Sequence, residues 1–193
     1  KEFTYNFRSS VMPQPKPKLE LIEKNIGDQH WYPRKEEEYA SVTTVLGGGF
    51  PKNPYFLKWL ANMPSEKEAN AFRDSRAVEG TNIHNGAEFM VKNRLKGLRE
   101  SAFTEKEWDM MFAFFKWEAE MKPYQKSKKH VEMVVYDDEL KVAGTFDRYC
   151  QIGGLWYVID YKTSKQINLS HKIQATQYGK MAWAAGLEVG RVA

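Results

Sequence analysis

The chain has 193 residues, 42% hydrophobic and 14% aromatic, enough to bury the core of one domain, and no apolar run reaches the length that spans a bilayer. A formal charge of +4 permits a nucleic-acid partner without demanding one. The single cysteine, Cys150, excludes an internal disulfide, a zinc knuckle and a four-cysteine iron–sulfur cluster, and it reads as a small buried hydrophobe in a reducing compartment.

Residues 1–18, with Pro13, Pro15 and Pro17, read as an extended arm, and residues 19–40 as short strands or a hairpin. Ser41 to Phe50 looks like a helix start cut off by Gly47, Gly48 and Gly49. The glycines do not make a phosphate loop, because no Gly-Lys-Ser/Thr follows them. Asn53 to Met63 predicts a short helix with Pro54 in its first turn, stopped before Pro64. Ser65-Glu66-Lys67-Glu68 is a capping box that opens a helix running toward Gly80, and a further helix is expected from Thr81. Thr104-Glu105-Lys106-Glu107 is a second box, followed by Trp108, Met111, Phe112, Phe115 and Ala119 at helical spacing.

After Pro123 the period changes from helical to alternating. Residues 130–137, 139–152 and 154–164 predict three strands of an antiparallel meander, with Asp137-Asp138 and Gly153-Gly154 as the turns. A helix is expected over residues 169–186, with Ser170 as N-cap and Gly186 as its stop, then the start of one more strand. The fold class is therefore mixed α/β or α+β, a central sheet flanked by helices.

The third strand ends in Asp160-Tyr161-Lys162. Alternation puts Asp160 and Lys162 on one face and Tyr161 on the other. The preceding strand carries Asp147, and a symmetric hairpin is expected to need a bulge or offset to bring Asp147 and Asp160 together. Two converging carboxylates repel unless a cation sits between them, and Mg²⁺ or Mn²⁺ suits such oxygen donors. Such an ion polarises a phosphoryl oxygen and acidifies water, and Lys162 is placed to offset charge on a phosphate.

Two further motifs flank this trio: Gly80-Thr81-Asn82-Ile83-His84, expected at a helix start, and Gln174 with Tyr178, one turn apart on a helix. The order G-x-x-x-H, G-x-x-D, D-x-K, Q-x-x-x-Y resembles the RecB-like branch of the PD-(D/E)XK nuclease superfamily over roughly residues 41–186. It is similar in size to stand-alone exonucleases of that branch, such as the mitochondrial genome maintenance exonuclease and phage-encoded relatives. The resemblance implies a restriction-endonuclease-like core in residues 123–193, a helical segment over 41–122 and an N-terminal arm with short strands over 1–40, the last strand being truncated.

It implies further that His84, Asp147, Asp160 and the main-chain carbonyl of Tyr161 bind the metal and that Lys162 is the catalytic lysine. Gln174 and Tyr178 would steady the site and contact the substrate strand, with Glu132 as a possible outer residue. The implied activity is Mg²⁺- or Mn²⁺-dependent hydrolysis of DNA ends or single strands, in repair or recombination, without an iron–sulfur cluster. The implied setting is a cytoplasm, that of a phage-infected bacterium included, or a mitochondrion. Tyr55, Trp59, Arg73 and Arg76 offer stacking rings and phosphate contacts for a single strand. The rival readings are a structure-specific endonuclease on the same core and a non-catalytic nucleic-acid-binding protein on a nuclease fold.

Overall fold

The computed structural model describes residues 24–26, 29–93, 98 and 100–193; the expected arm of residues 1–18 lies outside them. Seven strands form one sheet: β1 (Lys24–Ile26), β2 (Gln29–Arg34), β3 (Glu37–Ser41), β4 (Val131–Asp137), β5 (Val142–Ile152), β6 (Leu155–Ile159) and β7 (Arg191–Val192). Among the described residues five α-helices accompany it: α1 (Val42–Gly49), α2 (Pro54–Ala61), α3 (Glu66–Asn93), α4 (Glu105–Met121) and α5 (Leu169–Ala184). The class is mixed α/β, as the sequence predicts. No described helix is long and apolar enough to cross a membrane.

The expected meander is present. β4 pairs antiparallel with β5, and β5 pairs antiparallel with β6. Gly153 and Gly154, at φ 57° and 85°, make the two-residue turn between Ile152 and Leu155 that this conformation requires. β7 runs parallel to β6, and β3 joins parallel to the start of β5, so the hairpin strands β2 and β3 belong to the same sheet as the meander.

The register leaves a gap that matters. Val142 and Ala143 pair with both β3 and β4, and Arg148 pairs with both β4 and β6. β3 and β6 therefore share one edge of β5, at opposite ends, and residues 144–147 lie between them on that edge. Both strands run toward the gap and end there. Ser41 turns into α1, its side chain accepting from the Thr44 N–H at 2.9 Å, and the chain leaves β6 as Asp160-Tyr161-Lys162. Converging carboxyl ends of strands beside a chain crossing are where open α/β sheets hold ligands.

Two cores cover the two faces. Under α1 and α5 lie Val42, Val135, Phe146, Tyr149, Val158, Tyr178, Met181 and Val192. On the opposite face Cys150, Tyr157 and Ile159 pack with Trp117 of α4 and with Tyr161. Phe146 and Tyr149 sit in the same core, although strict alternation would separate them. The pleat thus slips across Asp147–Arg148, opposite Glu132, whose φ is 53°. The slip releases Asp147 from the α5 core.

Several local expectations are corrected. The three glycines do not cut α1 short; they lie in its last turn, and Phe50 closes it through an N–H to the Leu46 carbonyl. Gly80 does not divide two helices, because α3 runs unbroken for 28 residues. A lone glycine costs a helix about 1 kcal/mol relative to alanine. Packing of Ile83 and Met90 against Met111 outweighs it. Phe112 and Ala119 face solvent rather than the core, while Met111 is fully buried. The N-cap of α5 is Asn168, not Ser170; its side chain accepts from the His171 N–H at 3.0 Å. The capping box of α4 is complete, with Glu107 accepting from the Thr104 N–H at 2.7 Å.

Candidate active site

The site is assembled from three elements at the gap. β5 supplies Asp147. The last rung of the hairpin pairs Arg148 with Ile159, and the same register carried one residue further sets Asp147 opposite Asp160. The two-residue glycine turn achieves this with no bulge in the hairpin, which corrects the offset expected from the sequence. β6 ends at Ile159, so Asp160 and Lys162 do not lie on a strand as expected. They converge nonetheless: Lys162 Nζ stands 2.5 Å from Asp160 Oδ2. The Asp160 backbone keeps a sheet-like bond, its N–H donating to the Ala193 carbonyl at 2.9 Å.

α3 supplies His84, from its interior rather than from a helix start. Its Nδ1 lies 3.0 Å from Asp147 Oδ1. One turn earlier, Gly80 carries the helix backbone past Thr163, whose Oγ1 would stand 3.5 Å from a Cβ there. The other carboxylate oxygen of Asp147, Oδ2, accepts from the Tyr161 N–H. Asp147 thus ties α3, β5 and the Asp160–Lys162 segment together. Tyr161 points away from Asp160 and Lys162, its ring edge-on to Phe114 at 5.2 Å.

Burial pushes the Asp160 carboxyl up, and Asp147 adds to the rise, while Lys162 opposes it. Glu132 is pushed up to about 7, first by loss of water around its carboxyl and then by Asp147 and Glu88. His84 is held above the usual imidazole range by its hydrogen bond to Asp147, against burial. Carboxylate oxygens and an imidazole nitrogen are the donor types that Asp147, Asp160 and His84 could offer a divalent cation, with the exposed Glu132 near Asp147. Among the described residues, however, no three or more His, Cys, Asp or Glu side chains form a ready metal-binding group. The Lys162 ammonium lies on Asp160 and the His84 ring on Asp147.

Gln174 and Tyr178 are on one face of α5, as expected, but both are buried. Gln174 Nε2 donates to the Tyr178 hydroxyl at 3.0 Å. The Tyr178 ring occupies the space above Gly144, where a Cβ would meet its Cε1 at 2.4 Å. The pair therefore fixes α5 on β5 from beneath the site, and Gly144 of the G-x-x-D motif is the residue that lets it. A direct contact of Gln174 or Tyr178 with substrate does not follow from this placement.

Tyr55, Trp59, Arg73 and Arg76 fall elsewhere. No residue of α2 is buried, and Tyr55 is 83% exposed. Trp59 lies between Phe56 at 5.6 Å and Phe72 at 5.4 Å. Arg73 donates to Asn70, and Arg76 is paired with Glu79 at 2.6 Å. Tyr55 and Arg73 are exposed and Trp59 and Arg76 half-buried, and the partners of Trp59, Arg73 and Arg76 named here lie outside the His84–Asp147 group.

Sequence reasoning missed Arg148. It is 3% exposed, with Nε donating to Gln125 Oε1 at 3.0 Å and Nη1 paired with Glu118 of α4. The available signal was an arginine inside an otherwise apolar strand, beside Asp147. No protein-family model and no curated protein matches the chain.

Proposed function

We propose that the protein is a metal-dependent deoxyribonuclease with a restriction-endonuclease-like core, acting as an exonuclease on DNA ends or single strands. The observation that carries this reading is the register that sets Asp147 opposite Asp160, with His84 on the first carboxylate and Lys162 on the second. The motif order supports it further, because the four short motifs meet at one gap in the sheet or, for Gln174 and Tyr178, directly beneath it.

Mg²⁺ or Mn²⁺ would be held by Asp147, Asp160, the neutral His84 imidazole and the Tyr161 carbonyl, with Glu132 as an outer carboxylate. When bound, such an ion supplies charge to the scissile phosphate and lowers the pKa of water. The chain's own residues do the rest. Lys162, held beside Asp160, would offset the charge that builds on the phosphate in the transition state. Asp147 keeps the Asp160–Lys162 segment in place by accepting from the Tyr161 N–H. Gln174 and Tyr178 hold α5 rigidly under β5. Single-stranded DNA would enter past α2, where the exposed Tyr55 ring and the half-buried Trp59 ring offer stacking that is blind to sequence.

The test is incubation of the protein with end-labelled linear and closed circular single-stranded DNA, with Mg²⁺, Mn²⁺ or chelator. Loss of label from the linear strand alone, abolished by chelator, is the expected result. Nicking of the circle would make it an endonuclease. Binding without cleavage under every metal condition would make it a non-catalytic nucleic-acid-binding protein.

A further inference from the structure

Arg148 follows Asp147 in β5 and, because the pleat slips there, its side chain lies with Cys150 on the α4 face rather than in the α5 core. A guanidinium so deeply buried needs an anionic partner, and Glu118 of α4 supplies it, with Gln125 taking Nε. The Tyr161 side chain enters the same space. Its ring is edge-on to Phe114, Trp117 and His84, with centroids at 5.2, 6.3 and 6.4 Å. Its hydroxyl is buried without a well-formed hydrogen bond, within reach of the Arg148 charge.

We infer that Arg148 and Glu118 are positioning residues: they clamp α4 onto the back of β5 and seat the Tyr161 ring, which fixes the backbone of the Asp160–Lys162 segment against Asp147. The link to the front of the site is the Tyr161 N–H, which donates to Asp147 Oδ2. Tyr161 is therefore anchored twice, by its ring on the α4 face and by its amide on the acid that faces His84. Loosening the ring frees the amide, and Asp147 and Asp160 lose their fixed separation. This inference rests on the metal-dependent reading for its consequence in function, but not for its geometry.

The experiment replaces the buried ion pair by apolar side chains of similar length, Arg148→Met with Glu118→Met, a kind of swap that often leaves a fold intact. Two readouts are taken on the folded variant. Amide exchange by nuclear magnetic resonance compares Tyr161 with Val158, an interior residue of β6. Calorimetric titration with Mn²⁺ measures metal affinity without any substrate.

The expected result is at least ~10-fold faster exchange at Tyr161 with Val158 unchanged, and Mn²⁺ affinity weakened ~10- to 100-fold, the range for residues that orient metal ligands from outside. A uniform rise in exchange across β6 would mean a merely structural pair and would overturn the inference, as would unchanged exchange at Tyr161. If the wild-type chain binds no Mn²⁺ while the Tyr161 amide still responds, the clamp stands and the metal-dependent reading falls. Should the double variant not fold, Glu118→Gln keeps shape and removes charge. It is expected to speed Tyr161 exchange selectively by several-fold, and no change there would overturn the clamp.

Discussion

Asp147 and Asp160 each follow the Arg148–Ile159 pair on its open side, a register set by the two-residue glycine turn. If this pairing and its Lys162 contact are the catalytic geometry, Asp160→Asn and Lys162→Ala each lower cleavage by two orders of magnitude or more, about 3 kcal/mol of transition-state stabilisation. Asp160→Asn also weakens Mn²⁺ binding and Lys162→Ala does not. Single-turnover rates and calorimetry on both variants check this; wild-type turnover in either removes that residue from the mechanism.

The His84 imidazole must be neutral to ligate a metal, and Asp147 stabilises its protonated form. Protons and metal therefore compete, and apparent Mn²⁺ affinity should already decline above the ordinary histidine pKa of ~6.5 as pH falls. In His84→Ala the affinity is lower throughout and flatter over that range. Titrations at several pH values decide the matter, and an unchanged profile in the variant would take His84 out of the ligand set.

Gly144→Ala tests the packing beneath the site. The added Cβ would meet the Tyr178 ring at 2.4 Å, too close without a shift of α5. Overpacking of this kind costs about 1–3 kcal/mol. Urea denaturation should show a lower midpoint, and the companion change Tyr178→Leu should recover part of it.

Asp137 gives a prediction about acid stability. Burial alone would raise its pKa, but hydrogen bonds from Lys180, the Leu140 N–H and Gln177 outweigh it and hold the carboxyl below its usual range. A depressed carboxylate contributes stability above its unfolded pKa and loses it as pH falls through the folded one. Stability should therefore drop below about pH 4. Asp137→Asn should be less stable at neutral pH and lose less on acidification. Thermal melts of both proteins between pH 7 and the acid range test the sign.

The exposed Tyr55 ring of α2 can be separated from core rings by one protein. Tyr55→Ala should leave the melting temperature unchanged, because the ring is open to solvent, and should weaken single-strand binding by ~1–3 kcal/mol if it stacks on bases. Unchanged affinity in the folded variant would leave α2 without a part in binding.

Local chemistry explains what the sequence made legible. The Thr104 capping box, Pro54 in the first turn of α2 and the Gly153-Gly154 turn are short-range signals, and each stands where it was read. The unbroken α3 was not legible, because its continuity through Gly80 depends on α4. Asn82 donates to Glu107 across the two helices at 2.8 Å, a contact between residues far apart in the chain. The parallel pairing of β3 with β5 is likewise non-local. For the site, motif order identified His84, Asp147, Asp160 and Lys162 as a group. The pleat slip that turns Arg148 toward α4 depends on the left-handed backbone of Glu132, and no residue type in the motif announces it.

Cys150 is fully buried two residues beyond Arg148, and burial pushes its thiol up to about 11. As the only thiol in the chain it is a built-in clock for opening of the central strand. While the sheet is closed, a thiol reagent meets neither an exposed sulfur nor a thiolate. The labelling rate in native buffer therefore reports how often β5 comes away from α4. No engineered probe is needed to learn whether a ligand at the gap tightens the strand that carries Asp147.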